Sequence, residues 1–274
     1  MDFVGSRYYM LNRVMLSTIG LWPYQNVWHM RIQRIYFSLS VVSCIIVQVS
    51  TFITSEFSLD LLLEVLSCTI PCFIVILKYT AYCVKIKSMR MIMEMIKYDW
   101  SILKDRMESE IIKKYTYIGA FYAQLFALVT YSVPIFFACL HFIPNLLDLV
   151  APLNHSRPHH PLMVVEYFVD FNEYFHPILL HLVLSVFTVQ IILMSTTSIY
   201  VAFIQHVCGM FEIASYRIEH ALGDYKKRNP VSGRRCVACT RIISAVDIHR
   251  RAIESVVSHR IIQDLNIIYM FLQI

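Results

Sequence analysis

The sequence predicts an all-α fold, a polytopic transmembrane helical bundle, on three observations. Of 274 residues, 57% are hydrophobic and only 16% charged, against roughly 25% charged in an ordinary soluble domain. Mean hydropathy is +0.57, and a soluble surface needs far more charge than this chain carries. Finally, the 38 residues between Glu173 and Glu212 include no Asp, Glu, Lys or Arg. At 1.5 Å rise per residue, about 20 of them cross a hydrocarbon layer, and the remainder must continue as helix beyond it.

The elements can be taken in order. Asp2 follows Met1, and no continuous apolar core precedes a small-residue cleavage site, so the start does not read as a cleaved signal peptide. Residues 1–34 form an arm with Arg7, Arg13, Arg31 and Arg34 against Asp2 alone. Within it, Leu16 to Trp22 fits either a short interfacial helix, with Trp22 and Trp28 at headgroup level, or a loosely packed amphipathic arm. Residues 35–83 hold the first two spans. Ile35 to Ser55 is 21 residues without a charge, and a second span runs from about Leu59 to Tyr82 with Pro71 inside it. Glu64 and Lys78 stand near opposite ends of that span, where snorkelling to the headgroups explains them.

Residues 84–114 hold eight basic side chains and five acids. Apolar residues recur three or four apart through Ile86, Met89, Met93, Ile96, Trp100, Leu103, Met107 and Ile111. That spacing predicts an amphipathic helical linker packed on one face. The third span, 115–140, contains Pro134. Residues 141–176 form a long loop with Pro144, Pro152, Pro158 and Pro161, and the fourth span covers 177–207. A basic helical extension, 208–260, is punctuated by Gly223 and Asn229-Pro230, and 261–274 reads as the incomplete start of a fifth helix.

Charge orients these segments. The stretches before the first span, between the second and third, and after the fourth hold 4, 8 and 10 basic residues, and the two loops on the other side hold 0 and 1. An excess of Lys and Arg marks the cytosolic face, so the N-terminus is expected in the cytosol. This partition also accounts for the net charge of +5 without invoking nucleic acid.

Few chemical motifs stand out. Asn154-His155-Ser156 fits a glycosylation acceptor in the predicted outside loop. His155, His159 and His160 lack a carboxylate or thiol at ligand spacing, and Cys236 with Cys239 supplies two ligands where a structural zinc needs four. No metal or cofactor site is expected. Cys44, Cys68, Cys72, Cys139 and Cys208 read as small buried hydrophobes. With six glycines, no G-x-G-x-x-G and no Walker motif, the chain shows no catalytic constellation, so it is not expected to be an enzyme.

Several stretches resemble one family. Val165-Glu166-Tyr167-Phe168-Val169-Asp170 followed by Tyr174-Phe175-His176-Pro177-Ile178-Leu179-Leu180-His181 resembles the insect odorant receptors, most closely the hymenopteran-type branch. Gln205-His206-Val207-Cys208-Gly209-Met210-Phe211 with Ala214 to Glu219 looks like the cytosolic end of that family's fourth helix. Val246 to Glu254 resembles the approach to its fifth, and Gly20-Leu21-Trp22-Pro23 the entry to its first. The resemblance implies a seven-helix receptor of the olfactory sensory neuron dendrite membrane, with a cytosolic N-terminus. It further implies a non-selective cation channel gated by a small volatile odorant, in a heterotetramer with a co-receptor. The family's helices six and seven have no counterpart in these residues, so the chain is expected to be a C-terminally truncated member. The alternative expectation is a non-conducting membrane protein that only assembles with, or competes against, full-length subunits.

The family's odorant site lies in the outer half of the bundle. With the topology above, that region takes in Leu66, Thr69 and Phe73 on the second span, Tyr131, Ile135 and Phe136 on the third, and His181, Ser185 and Val189 on the fourth. A volatile ligand needs an apolar cavity with a few orienting polar groups, and Thr69, Tyr131, His181 and Ser185 would supply them. The plainer reading is that these are helix–helix contacts, since small polar residues also join membrane helices. The partners expected are therefore odorant, co-receptor and membrane lipid, with no nucleic acid.

Overall fold

The computed structural model describes residues 5–103, 105–143, 163–171, 173–227 and 237–263. Among these, every regular element is helical. A 3-10 turn, Ser6–Tyr9, leads into α1 (Met10–Thr18), then α2 (Val27–Val49), the short α3 (Thr51–Thr54), α4 (Leu59–Val84), α5 (Ile86–Ile102), α6 (Arg106–His141), α7 (Phe175–Lys227) and α8 (Val237–Gln263). Four stretches are long and apolar enough to cross a membrane: Val27–Thr54, Leu59–Val84, Arg106–Leu140 and Phe175–Ala221. The all-α membrane bundle expected from the charge-free runs is the fold found.

The described residues fall into two compact units. The first collects Met1–Val14, Val84–Gln124 and Thr197–Ile274, and the second Met15–Cys83 and Leu125–Thr196. Helix α7 contributes to both, 53 residues without a break, or about 80 Å at the α-helical rise. The charge-free run led to the expectation of such a helix, and it continues through Gly209 and also through Gly223, which is helical rather than the expected turn.

In the second unit the chain's first sharp corner follows α1. Gly20 adopts φ 71°, the left-handed conformation that closes a helix at little cost only for glycine. Leu21 N–H donates to Leu16 O at 2.9 Å and Gly20 N–H to Ser17 O at 3.4 Å, the paired bonds of a Schellman cap. A Cβ on Gly20 would also lie 2.8 Å from Met30 O. Side chains distant in sequence then fasten the corner through its carbonyls. Arg34 Nε donates to Gly20 O at 2.9 Å, Tyr79 Oη to Ile19 O at 2.6 Å and Gln25 Nε2 to Ser17 O at 3.1 Å. Leu16, Ile19 and Leu21 are fully buried, and Trp22 nearly so. Both open readings of this arm are corrected: Leu16 to Trp22 is core rather than interfacial helix or loose arm. Trp28, by contrast, is strongly exposed, at 70%. Asn26 then caps α2, its Oδ1 accepting from Trp28 N–H at 2.9 Å.

In the first unit, α5 presents Met89, Met93, Ile96 and Trp100 inward as the apolar spacing required. The expected stripe stops at Leu103, because the helix ends at Ile102 and α6 starts afresh at Arg106. Met107 is consequently 48% exposed, and Ile112 takes the fully buried place. Helix α8 packs on α5 and buries Ala245, Ile248 and Ala252. Gly209 of α7 permits close approach to α6, where an added Cβ would meet Ile112 Cδ1 at 2.8 Å. The seven described cysteines are free. Cys44 and Cys72 are buried, but Cys139 and Cys208 are exposed, against the expectation of burial, because each falls on an outward helix face.

Candidate functional site

Among the described residues, the buried polar side chains of the second unit are neutral. Its fully buried polar side chains include Gln48, Thr69, Ser185 and Thr188. From α2, Gln48 Oε1 accepts from Thr69 Oγ1 of α4 at 2.8 Å, and Gln48 Nε2 donates to Cys44 Sγ at 3.5 Å. Cys44 in turn lies against Cys72 and Ser185. One helical turn toward the start of α2, Ser40 Oγ donates to Thr188 Oγ1 at 3.0 Å. Ser43 Oγ meets His181 Nε2 at 3.1 Å and donates to Ser40 O at 2.9 Å. The arrangement largely satisfies the rule that a polar group removed from water must find a partner, with Ser185 Oγ the exception. It does so with groups that neither helix could satisfy alone.

His181 carries the chain of bonds outward. Its Nδ1 lies 2.6 Å from the phenol oxygen of Tyr167, and the two rings pack edge to face at 5.7 Å and 86°. Burial raises the Tyr167 phenol well above its ordinary range, so it stays protonated. The corner holding Tyr167 is built on Glu166. Its backbone N–H donates to Val47 O at 2.8 Å. Its carboxylate accepts from Thr54 Oγ1 and from Phe168 N–H, each at 2.6 Å. Those bonds, the Thr54 hydroxyl first, hold the Glu166 carboxyl below the usual range. Phe168 takes φ 57°, a conformation that costs roughly 1–2 kcal/mol for a residue with a side chain.

The structure thus places Thr69, His181 and Ser185 in one interior, Ser185 at 1% exposure with Val189 half-buried a turn further along α7. Leu66, Phe73, Tyr131, Ile135 and Phe136 stand on outward faces of the chain, between 37% and 66% exposed. Tyr131 leans on Phe187 with ring centroids 6.1 Å apart. Glu64 is exposed and Lys78 half-buried. Asn154, His155, His159, His160 and Cys236 lie outside the described residues. Sequence reading missed Ser43, Gln48 and Tyr167. Gln48 was the available signal, an amide in the middle of a charge-free span, where it needs a partner on another helix.

The first unit is held by ions. Asp99 of α5, 4% exposed, meets His206 Nε2 of α7 at 3.1 Å, with Arg251 Nη1 of α8 at 3.9 Å. Glu108 of α6 is paired bidentately by Arg217 of α7, at 2.5 Å through Nε and 2.7 Å through Nη2. Arg217 Nη1 also donates to Ser244 Oγ of α8 at 2.5 Å. Tyr9 lies nearby, its phenol pushed up by burial and bonded to Thr116. Two open clefts of about 530 and 430 Å³ flank Arg217 and Ser244. Among the described residues, no group of three or more His, Cys, Asp or Glu side chains is placed to hold a metal.

Comparison with known proteins now fits on this architecture. The 7tm odorant receptor family model matches residues 58–274, from the start of α4 onward and well over half of the chain. No curated protein matches it. The chain, with four membrane-length helices among its described residues, therefore belongs to the 7tm odorant receptor family.

Proposed function

We propose that this receptor binds a small volatile ligand in the interior of its second unit, among α2, α4 and α7. The supporting observation is the cluster of neutral hydrogen-bonding groups, Gln48, Thr69, His181 and Ser185, inside helices that are otherwise apolar. Apolar walls supply affinity, about 0.8 kcal/mol for each buried methylene, and a few fixed polar groups supply orientation. Leu66, Phe73, Tyr131, Ile135, Phe136 and Val189 remain candidates for the walls.

The wider organisation is proposed on the family's pattern and on the basic residues of the sequence. The N-terminal arm 1–34, the linker 84–114 and the extension 208–260 face the cytosol. The loop 141–176 faces outward, with Asn154 glycosylated, in the hymenopteran-type branch of the family. The chain works in the dendrite membrane with a co-receptor in a heterotetramer, and ligand shifts a closed–open equilibrium of a non-selective cation channel. Such a shift requires that the ligand bind one state more tightly than the other. The chain acts as a receptor subunit and catalyses no reaction.

The test is functional expression with a co-receptor, read by calcium imaging over a panel of volatiles. His181→Ala and Tyr131→Ala are expected to change the rank order of activating ligands, by tenfold or so for the most affected, at unchanged surface abundance. An unaltered rank order in both variants would remove the assignment.

A further inference from the structure

Proton directions around His181 can be assigned by giving the Ser43 hydroxyl proton to Ser40 O, and the tautomer then follows. Ser43 has one hydroxyl proton, and it goes to Ser40 O at 2.9 Å. Ser43 Oγ can therefore only accept from His181 Nε2, 3.1 Å away. A neutral imidazole that donates from Nε2 must accept at Nδ1. The group 2.6 Å from Nδ1 is the Tyr167 phenol, which in that tautomer is the donor. His181 Nδ1 is thus an acceptor committed to an O–H, and a side chain of this same chain already occupies it.

That side chain arrives from a loop. Tyr167 is held by the Glu166 carboxylate on Thr54 and on the Phe168 amide, over a backbone bent to φ 57° at Phe168. Phe168 and Val169 beyond it are 61% and 49% exposed, so the corner is attached chiefly through Glu166 and Tyr167. A left-handed aromatic residue persists only where surrounding bonds impose it.

We infer that Tyr167 is a built-in occupant of the ligand subsite at His181, and that the ligand displacing it is a small hydroxyl donor, a phenol or an alcohol. This rests on the second unit holding the ligand. An ether, ester or ketone brings an acceptor to an acceptor. A hydrocarbon leaves Nδ1 unpaired, which costs more than the bond itself contributes. A hydrogen-bond donor is needed to replace what Tyr167 gives up, an O–H does so in kind, and the departure of Tyr167 releases the bent corner at Phe168.

The probe is p-cresol, which has the chemistry of the tyrosine side chain, with p-methylanisole and p-xylene as near-isosteres lacking the donor. Binding of tritiated p-cresol is measured to the 274-residue chain in lipid nanodiscs. Tyr167→Phe keeps the ring and removes the competing hydroxyl, so it is expected to bind p-cresol about tenfold more tightly than the parent chain. Glu166→Gln, which loosens the corner without touching the subsite, should shift binding the same way and serves if Tyr167→Phe fails to fold. His181→Phe should abolish the preference for p-cresol over p-methylanisole. A merely structural tyrosine predicts the opposite sign for Tyr167→Phe, weaker binding or none. The inference is overturned if neither Tyr167→Phe nor Glu166→Gln tightens binding, or if p-methylanisole displaces p-cresol as well as p-cresol itself does. Saturable binding indifferent to the hydroxyl and lost in His181→Phe would leave the proposed ligand site standing and remove only the displacement by Tyr167.

Discussion

The two units solve one problem with different chemistry. In the first, groups withdrawn from water include two carboxylates, Asp99 and Glu108, each answered by a cation or imidazole from another helix. In the second, the fully buried polar side chains among the described residues are an amide and hydroxyls, several of them answered by one another and by His181 and Cys44. A buried ion is tolerable only with a partner in good geometry, and its penalty is highest in a hydrocarbon setting. A hydroxyl costs less to withdraw than an ion does, and it can donate its hydrogen bond to the preceding turn, as Thr196 does to Ile192 O at 2.8 Å. The difference teaches where each unit is brittle. Loss of one ion strands another, whereas loss of one hydroxyl leaves a milder deficit.

Arg217→Ala should have the largest effect, because it leaves the Glu108 carboxylate buried without its bidentate partner. A loss of about 3–5 kcal/mol is expected, read as a collapse in the yield of folded protein and a lower midpoint in thermal unfolding. The double change Arg217→Met with Glu108→Leu should recover most of that loss, since no stranded charge remains. If the single and double variants are equally unstable, packing rather than charge holds the first unit, and the contrast breaks.

Thr69→Val probes the second unit at the same level of burial. It removes the donor to Gln48 Oε1 but keeps the shape, and about 0.6–1.7 kcal/mol is expected by thermal unfolding in nanodiscs. A loss matching that of Arg217→Ala would show the neutral network to be as brittle as the ionic one.

The smallest effect belongs to pH. The Glu166 carboxyl is lowered in the folded chain by Thr54 and the Phe168 amide. Its contribution is therefore present above the ordinary glutamate range near pH 4 and is lost as pH falls through the lowered folded value. Hydrogen exchange in residues 163–171, corrected for intrinsic rates, should show protection persisting to about pH 4 and failing below it. Protection unchanged well below pH 3 would mean the carboxylate does not hold the corner.

Much of this architecture was legible because membrane helices announce themselves by what they lack. Long apolar runs with few or no charges marked α2, α4, α6 and α7, and the three-and-four spacing marked the inward face of α5 through Met89, Met93, Ile96 and Trp100. Where reading stopped short, the reason is nonlocal pairing. The stripe carried past Leu103 to Met107 because periodicity does not reveal that the chain changes direction there. Asp99 lies three residues after Ile96, on the apolar face, and nothing local shows that His206, 107 positions later, receives it. The polar interior was half visible. Thr69, His181 and Ser185 followed from the resemblance and the topology, whereas Ser43 and Gln48 sit on the helix that resemblance left out. Tyr167 lay within the recognised stretch around Glu166, but sequence alone did not give its role as the far end of the His181 chain.

The corner at Gly20 has a consequence for mutational tolerance. Arg34, Tyr79 and Gln25 grip it through main-chain oxygens of Gly20, Ile19 and Ser17, atoms that every amino acid possesses. Residues supplying only a carbonyl, such as Ser17 or Cys83, which accepts from Arg34 at 3.4 Å, can drift in identity while the grip persists. Latitude vanishes at the long side chains that reach across and at the one position where a methyl group would collide with Met30 O.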